Sequence, residues 1–377
     1  MKHLMSAVAL LTLNLIAPQA LLAQSAQDKI SAAVLPLPDD LRSDATVFEY
    51  DSATGERIVL RQGHNQVECQ TKDPETGFTR CFGVADAARR DLSAKLRAQG
   101  MSDEELADAL TAAEAEGRVE PAPFGSLAYR LYDEDDRIQL LWVVRLPNAT
   151  SEQLGMPTAS QRDSSLAGRG LPWMMREGTP QAHLMIPING TQLSNSGGVS
   201  SRLDTKSIDD PVAQASLPLP EDLRADATVV QFDPETGERR VLRQGSNMIE
   251  CQPRNPETGF TRCYHASQSA ERALIARLSA GGKSAEEISS EVAAARDAGT
   301  LPQATFGALD YRFYDADDRL KLLWILRLPN ATSEQLGMPT GSQRDSSLAG
   351  RGLPWMMREG TPQAHLMIPI NATELSN

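Results

Sequence analysis

Gln66-Val67-Glu68-Cys69-Gln70, then Asp73-Pro74-Glu75-Thr76-Gly77, then Phe78-Thr79-Arg80-Cys81 reads as a β-hairpin, and it occurs twice in this chain. Its turn centre falls near Glu75, midway between Cys69 and Cys81, so the two sulfurs are expected to face each other across the ladder. Cys251 and Cys263 stand at the same spacing 182 residues further on. In an oxidising compartment both pairs are expected disulfides, each closing a short loop worth about 2–3 kcal/mol. A metal or redox site would need a different spacing.

The offset of 182 extends well beyond the hairpin. Leu35-Pro36-Leu37-Pro38 returns as Leu217-Pro218-Leu219-Pro220, and the match runs without a gap to Asn195 and Asn377. Two homologous domains, 35–195 and 217–377, are therefore expected, each of ordinary single-domain size. Between them, 196–216 opens with Ser196-Gly197-Gly198-Val199-Ser200-Ser201 and reads as a flexible tether. The two copies have diverged unevenly. Only 14 of 40 positions agree over 84–123, against 47 of 50 over 146–195. Any chemistry housed in 146–195 is thus present twice.

Residues 1–23 read as a signal peptide: a short basic start at Lys2 and His3, an apolar run, and small residues around Ala23 suited to cleavage. No later segment is apolar for long enough to span a bilayer, so no stable membrane insertion is expected after cleavage, and the product belongs in a periplasm or outside the cell. A net charge of -13 argues against nucleic acid as a partner, because phosphate binding needs a basic face.

The start of each copy reads as a β-meander, Thr46–Tyr50 and Arg57–Leu60 followed by the cysteine hairpin. Two helices follow, the second capped by Ser102 with Glu105 three residues on, and by Ser284 with Glu287 in the second copy. Strands resume at Leu127–Tyr132 and at Ile138–Leu146, joined by the acidic turn 133–136. Leu140-Leu141-Trp142-Val143-Val144 is apolar throughout and hence a buried central strand. A last strand is expected at Ala182–Ile188. The fold class is α+β: two tandem homologous domains, each an antiparallel sheet of short hairpins with a two-helix insert.

Candidate chemistry concentrates in 162–185. His183 is the only histidine with a counterpart, His365; His64 and His265 have none and are not read as site residues. Period-2 alternation places His183 and Met185 on one face of the last strand, with Ala182, Leu184, Ile186 and Ile188 on the other. Three functional readings arise. His183 and Met185, with Met174 or Met175, have the soft donors that suit Cu(I), as do His365 and Met367. Ser164 or Ser165 with His183 and Asp163, and Ser346 with His365 and Asp345, hold the residue types of a hydrolytic triad but no nucleophile elbow. Arg162, Arg169 and Arg176, with Arg344, Arg351 and Arg358, could converge on a small anionic ligand, because guanidinium forks match carboxylates. The plainer reading makes His183 a hydrogen-bonded structural histidine and the arginines loop staples to Asp163 and Glu177.

Arg61-Gln62-Gly63-His64-Asn65, the cysteine pair and Gly178-Thr179-Pro180-Gln181-Ala182-His183-Leu184-Met185 together resemble a group of secreted bacterial proteins of unknown function. The resemblance covers nearly the whole of each repeat and implies no activity or cofactor. The tandem arrangement departs from the single-domain form expected of that group. The residues lean towards an exported, non-enzymatic binding or interaction module, whose partner is a protein or a small anion. A hydrolase and a copper protein stand as alternatives.

Overall fold

The computed structural model describes residues 26–73, 76–121, 123–132, 140–156, 171–188, 208–256, 259–314, 322–338 and 353–370. The expected signal peptide, the opening of the tether and the acidic turn 133–136 lie outside the described residues.

Each copy forms an eight-stranded sheet flanked by helices. In the first, residues 26–33 form α1 and Asp39–Arg42 form α2. Then come β1 (Thr46–Tyr50), β2 (Arg57–Arg61), β3 (Val67–Gln70) and β4 (Phe78–Gly83). The helices α3 (Ala87–Ala98) and α4 (Asp103–Ala115) follow, and the capping box on Ser102 and Glu105 is present. The remainder is β5 (Leu127–Tyr132), β6 (Leu140–Arg145), α5 (Ser151–Leu154), β7 (Trp173–Met175) and β8 (His183–Pro187). The spatial order is β2-β1-β3-β4-β5-β6-β8-β7, and the second copy repeats it.

The sheet is mixed where the sequence suggests an antiparallel meander, because β1 and β3 pair in parallel. The Arg61-to-Asn65 segment is what carries the chain across. The Arg61 guanidinium donates to the carbonyls of Ala45 and Arg42 at 2.8 and 2.6 Å. Gly63 passes so close to β1 that a Cβ there would lie 2.2 Å from the Asp44 oxygen. His64 and Asn65 then donate their N–H groups to that same oxygen. The Asn65 side chain donates to Leu41 O at 3.0 Å and accepts from Val67 N at 3.0 Å, which starts β3 on the far side of β1. Arg243, Gly245 and Asn247 make the same clasp in the second copy.

One row of side chains crosses the six inner strands of the sheet. Val47, Cys69, Cys81, Tyr129, Trp142 and Ile186 are cross-strand partners in sequence, and every one is essentially inaccessible to solvent. Both expected disulfides are formed, Cys69–Cys81 and Cys251–Cys263, each at a Cα separation of 4.0 Å. Ile30 and Ala33 of α1, and Val34 just after it, join the same core.

Where the sequence suggests only a flexible tether, the second copy has a helix, α6 (Pro211–Ser216). The Asp210 side chain caps it by accepting from Val212 and Ala213, Pro211 supplies a preset φ, and Ala215 and Ser216 are buried. It occupies the place that α1 holds in the first copy, so the domains begin before Leu35 and Leu217.

The two sheets share a single core. The buried cluster runs unbroken through both copies, and the contacts between them follow a two-fold pattern. The Tyr129 hydroxyl donates to Gly337 O, and the Tyr311 hydroxyl donates to Gly155 O at 2.5 Å. Phe124 meets Phe306, its own counterpart, edge to face at 4.7 Å. A Cβ on Gly125 would touch Leu328 and Leu336, and one on Gly307 would touch Leu146 and Leu154. Residue i of one copy thus meets residue j of the other, and j meets i, as in the isologous interface of a dimer. A chain of residues 26–195 alone is expected to form a homodimer through this surface. Light scattering across a concentration series will check it, and a monomer at every concentration would contradict it.

Candidate functional site

The sheet has two unlike faces. Leu184, Ile186 and Ile188 of the last strand belong to the core shared between copies, and Met185 belongs to a separate cluster with Phe48, Phe82, Ala128, Tyr132, Leu141, Val143 and Trp173. This is the alternation expected for 182–188. The second face is the one crossed by α3. Arg90 of α3 lies 5.1 Å above the Phe82 ring, and Asp91 accepts from Tyr50 and Arg57.

Arginines stud this apolar face. Arg80 and Arg130 are direct partners across β4 and β5, and Arg145 is the partner of His183 across β6 and β8. With Arg90 they make four guanidinium groups, and the described carboxylates set against them are two. Asp73 lies 3.1 Å from Arg80, and Asp86 lies 3.5 Å from Arg145. The second copy holds the same four arginines as Arg262, Arg272, Arg312 and Arg327. Asn255 and Gln268 replace the two aspartates there, and Asp310 replaces Ala128. Asp310 accepts a double hydrogen bond from Arg327. Among the described residues, two of these four positive charges are left over in the first cluster and three in the second.

The electrostatic cost shows in the titration behaviour. Burial, reinforced by Arg80, pushes the Arg90 guanidinium well below its ordinary range. Burial together with Arg272 and Arg312 lowers Arg262 to about 9. Guanidinium does not give up its proton at neutral pH, so such a cluster calls for anions. The unpartnered atoms agree. Arg80 Nε, Arg145 Nε and Trp173 Nε1 in the first copy, and Arg272 Nε and Trp355 Nε1 in the second, are buried without a hydrogen-bond partner. All of them are donors, and what they lack is an acceptor.

His183 lies at the margin of this cluster and is 7% exposed. Its Nδ1 donates to Gln181 O at 2.8 Å. A carbonyl therefore holds the ring where a hydrolytic triad has a carboxylate. Ser164, Ser165, Asp163, Ser346 and Asp345 lie outside the described residues, as do Arg162, Arg169, Arg344 and Arg351. Met175 stands directly opposite His183, and Met185 follows on the same face; the same holds for His365, Met357 and Met367. Among the described residues, no three His, Cys, Asp or Glu side chains gather in a group that could hold a metal ion. Arg176 and Arg358 end the β7 strand and its counterpart at φ 51° and 52°, near enough to His183 in the first copy to disfavour its protonation. Glu177 accepts from the Ser151 N–H at 2.8 Å, which anchors α5, and Glu359 does the same for Ser333.

The arginines expected at a site lie in the long loop, whereas those that gather on this face lie in the strands and α3. A signal was available. Arg90 and Arg272 coincide inside the segment where the copies otherwise differ most, and Arg130 and Arg145 interrupt or end apolar strands in both copies. No family model matches the chain, and no curated protein or solved structure does so either.

Burial lowers both His183 and His365 to about 4 from an ordinary 6.5. Below pH 6.5 the unfolded chain takes up protons at these positions and the folded chain does not, until the pH reaches about 4. Stability is therefore full above pH 6.5 and falls as pH drops towards 4, by about 3 kcal/mol for each histidine at most. Urea midpoints measured from pH 7 to 4.5 should decline, and the decline should be shallower in the H183Q/H365Q double variant.

Proposed function

We propose that the protein is an exported, non-enzymatic binding module that presents two sites for small multivalent anions, one on the α3-crossed face of each sheet. The observation that carries this reading is the surplus of guanidinium groups over carboxylates, accompanied by buried donors that lack acceptors. Carboxylate- or phosphate-bearing ligands have the charge and acceptor geometry that such a set requires. The two disulfides fit an oxidising compartment. No described helix is long and apolar enough to cross a membrane. The stretch 1–23, read from its sequence as a signal peptide, supports export.

Citrate and inorganic phosphate are expected to raise the melting temperature of the full chain above that in chloride at equal ionic strength, by roughly 3 °C or more at saturation. Replacing Arg130 and Arg312 by Gln should abolish that rise. It should also raise the ligand-free melting temperature at low salt, since each change removes a half-buried cation that has no carboxylate partner among the described residues. Equal melting in all three anions would refute the reading.

A further inference from the structure

The two-fold relation between the copies breaks down most sharply at one pair of positions. In the second copy His265 bridges the seam. Its Nε2 donates to Gln153 O of the first copy at 2.9 Å, and its Nδ1 accepts from the Ser267 N–H at 3.2 Å and lies 2.8 Å from the Ser267 hydroxyl. The residue is 2% exposed, so the ring fills its end of the seam. The mirror position in the first copy is Gly83. A Cβ placed there would meet nothing nearer than Gln66 O at 3.9 Å. In place of a ring this end has a cavity of about 220 Å³, lined by Gly83, Ala85, Asp86 and Ser126 on one side and by Glu334 and Gln335 of the other copy. That is far more than one water occupies.

The walls keep the complement of an imidazole. Gln335 O corresponds to the carbonyl that accepts from His265, and the Ala85 N–H corresponds to the donor that meets its other nitrogen. A further polar group is present only on this side. Ser126, where the second copy has Ala308, is 5% exposed and its hydroxyl has no hydrogen-bond partner. A buried hydroxyl without a partner costs about 1–3 kcal/mol, and a bound ligand would relieve it. The carboxylates of Asp86 and Glu334 make the lining accepting and disfavour an anion.

We infer that the cavity beside Gly83 is a binding site for a small N–H-donating heterocycle of the imidazole class, seated as the His265 ring is seated in the mirror half. The ligand donates to Gln335 O and accepts from the Ala85 N–H or the Ser126 hydroxyl. It completes the seam between the copies and shares only Asp86, which also faces Arg145, with the arginine cluster; its binding does not depend on that cluster holding an anion.

The test is a titration of the full chain with imidazole at pH 8, followed by the amide resonances of Gly83 and Gln335. The wild type should show one saturable site. Gly83→His should retain the fold and lose saturable binding, because its own ring takes the cavity; Gly83 has extended backbone at φ -65°, open to any residue. His265→Gly should melt lower than wild type, bind a second equivalent and recover stability in imidazole. Absence of saturable shifts in the wild type, or unchanged binding in Gly83→His, would overturn the proposal.

Discussion

The hydroxyl of Tyr129 and that of Tyr311 each cross from one copy to a glycine carbonyl of the other, and much of the architecture is arranged so that they can. A tyrosine in the middle of a sheet can reach a neighbouring body only if its strand is central and its row is held flat. Cys81 on one flank and Trp142 on the other supply that, the first by a disulfide to Cys69 and the second by an edge-to-face contact at 5.0 Å. The carbonyl it meets must also be presented without a side chain in the way. Gly155 and Gly337 do so at φ 65°, at the end of a single helical turn capped by Thr150 or Thr332. A buried tyrosine hydroxyl left without an acceptor would cost about 1–3 kcal/mol, so the two bonds favour one relative placement of the sheets over others. Two small sheets, each with one open apolar face, thereby become one core.

The opposite face works on different physics. The shared face is largely apolar and joined by two tyrosine–carbonyl bonds, whereas the α3-crossed face combines apolar filling with arginines. Arg57 over Phe48 and Arg80 over Phe78, at 3.9 and 4.4 Å, gain attraction from ring faces. Ring faces do not neutralise charge, however. The second copy lies further from neutrality than the first, since it exchanges two aspartates for amides and gains one at Asp310. If the sites bind the same anion, the second should hold it more tightly and release it at higher salt.

Much of this was legible in the residues. The cysteine hairpin, the capped second helix, the buried Leu140-to-Val144 strand and the facing of His183 all follow from alternation, turn chemistry and capping, which are local. What escaped was whatever depends on a distant contact. Gly63 looks like any turn glycine until the Asp44 carbonyl is placed against it. Asp210-Pro211 is a helix start hidden inside a segment whose composition suggests a tether. The strand arginines sit where alternation assigns a solvent face, and nothing local announces that α3 crosses that face. His265 has no counterpart in the first copy, and that lack is what leaves the cavity beside Gly83.

The seam also bears on the uneven divergence of the copies. An isologous contact uses each surface twice, so a change in one copy is felt at one of two mirror positions. Residues 146–156 supply Leu146, Leu154, Gly155 and the capped turn that presents the carbonyl, and 328–338 supply the same to the other side. These two stretches are identical. Their partners are less alike: Val67 corresponds to Ile249, Gly83 to His265, and Ser126 to Ala308. The interface has thus held one half of its surface constant and varied the other. A dimer of identical chains must change both of its ends together; a fused pair can fill one end with a histidine and leave the other open.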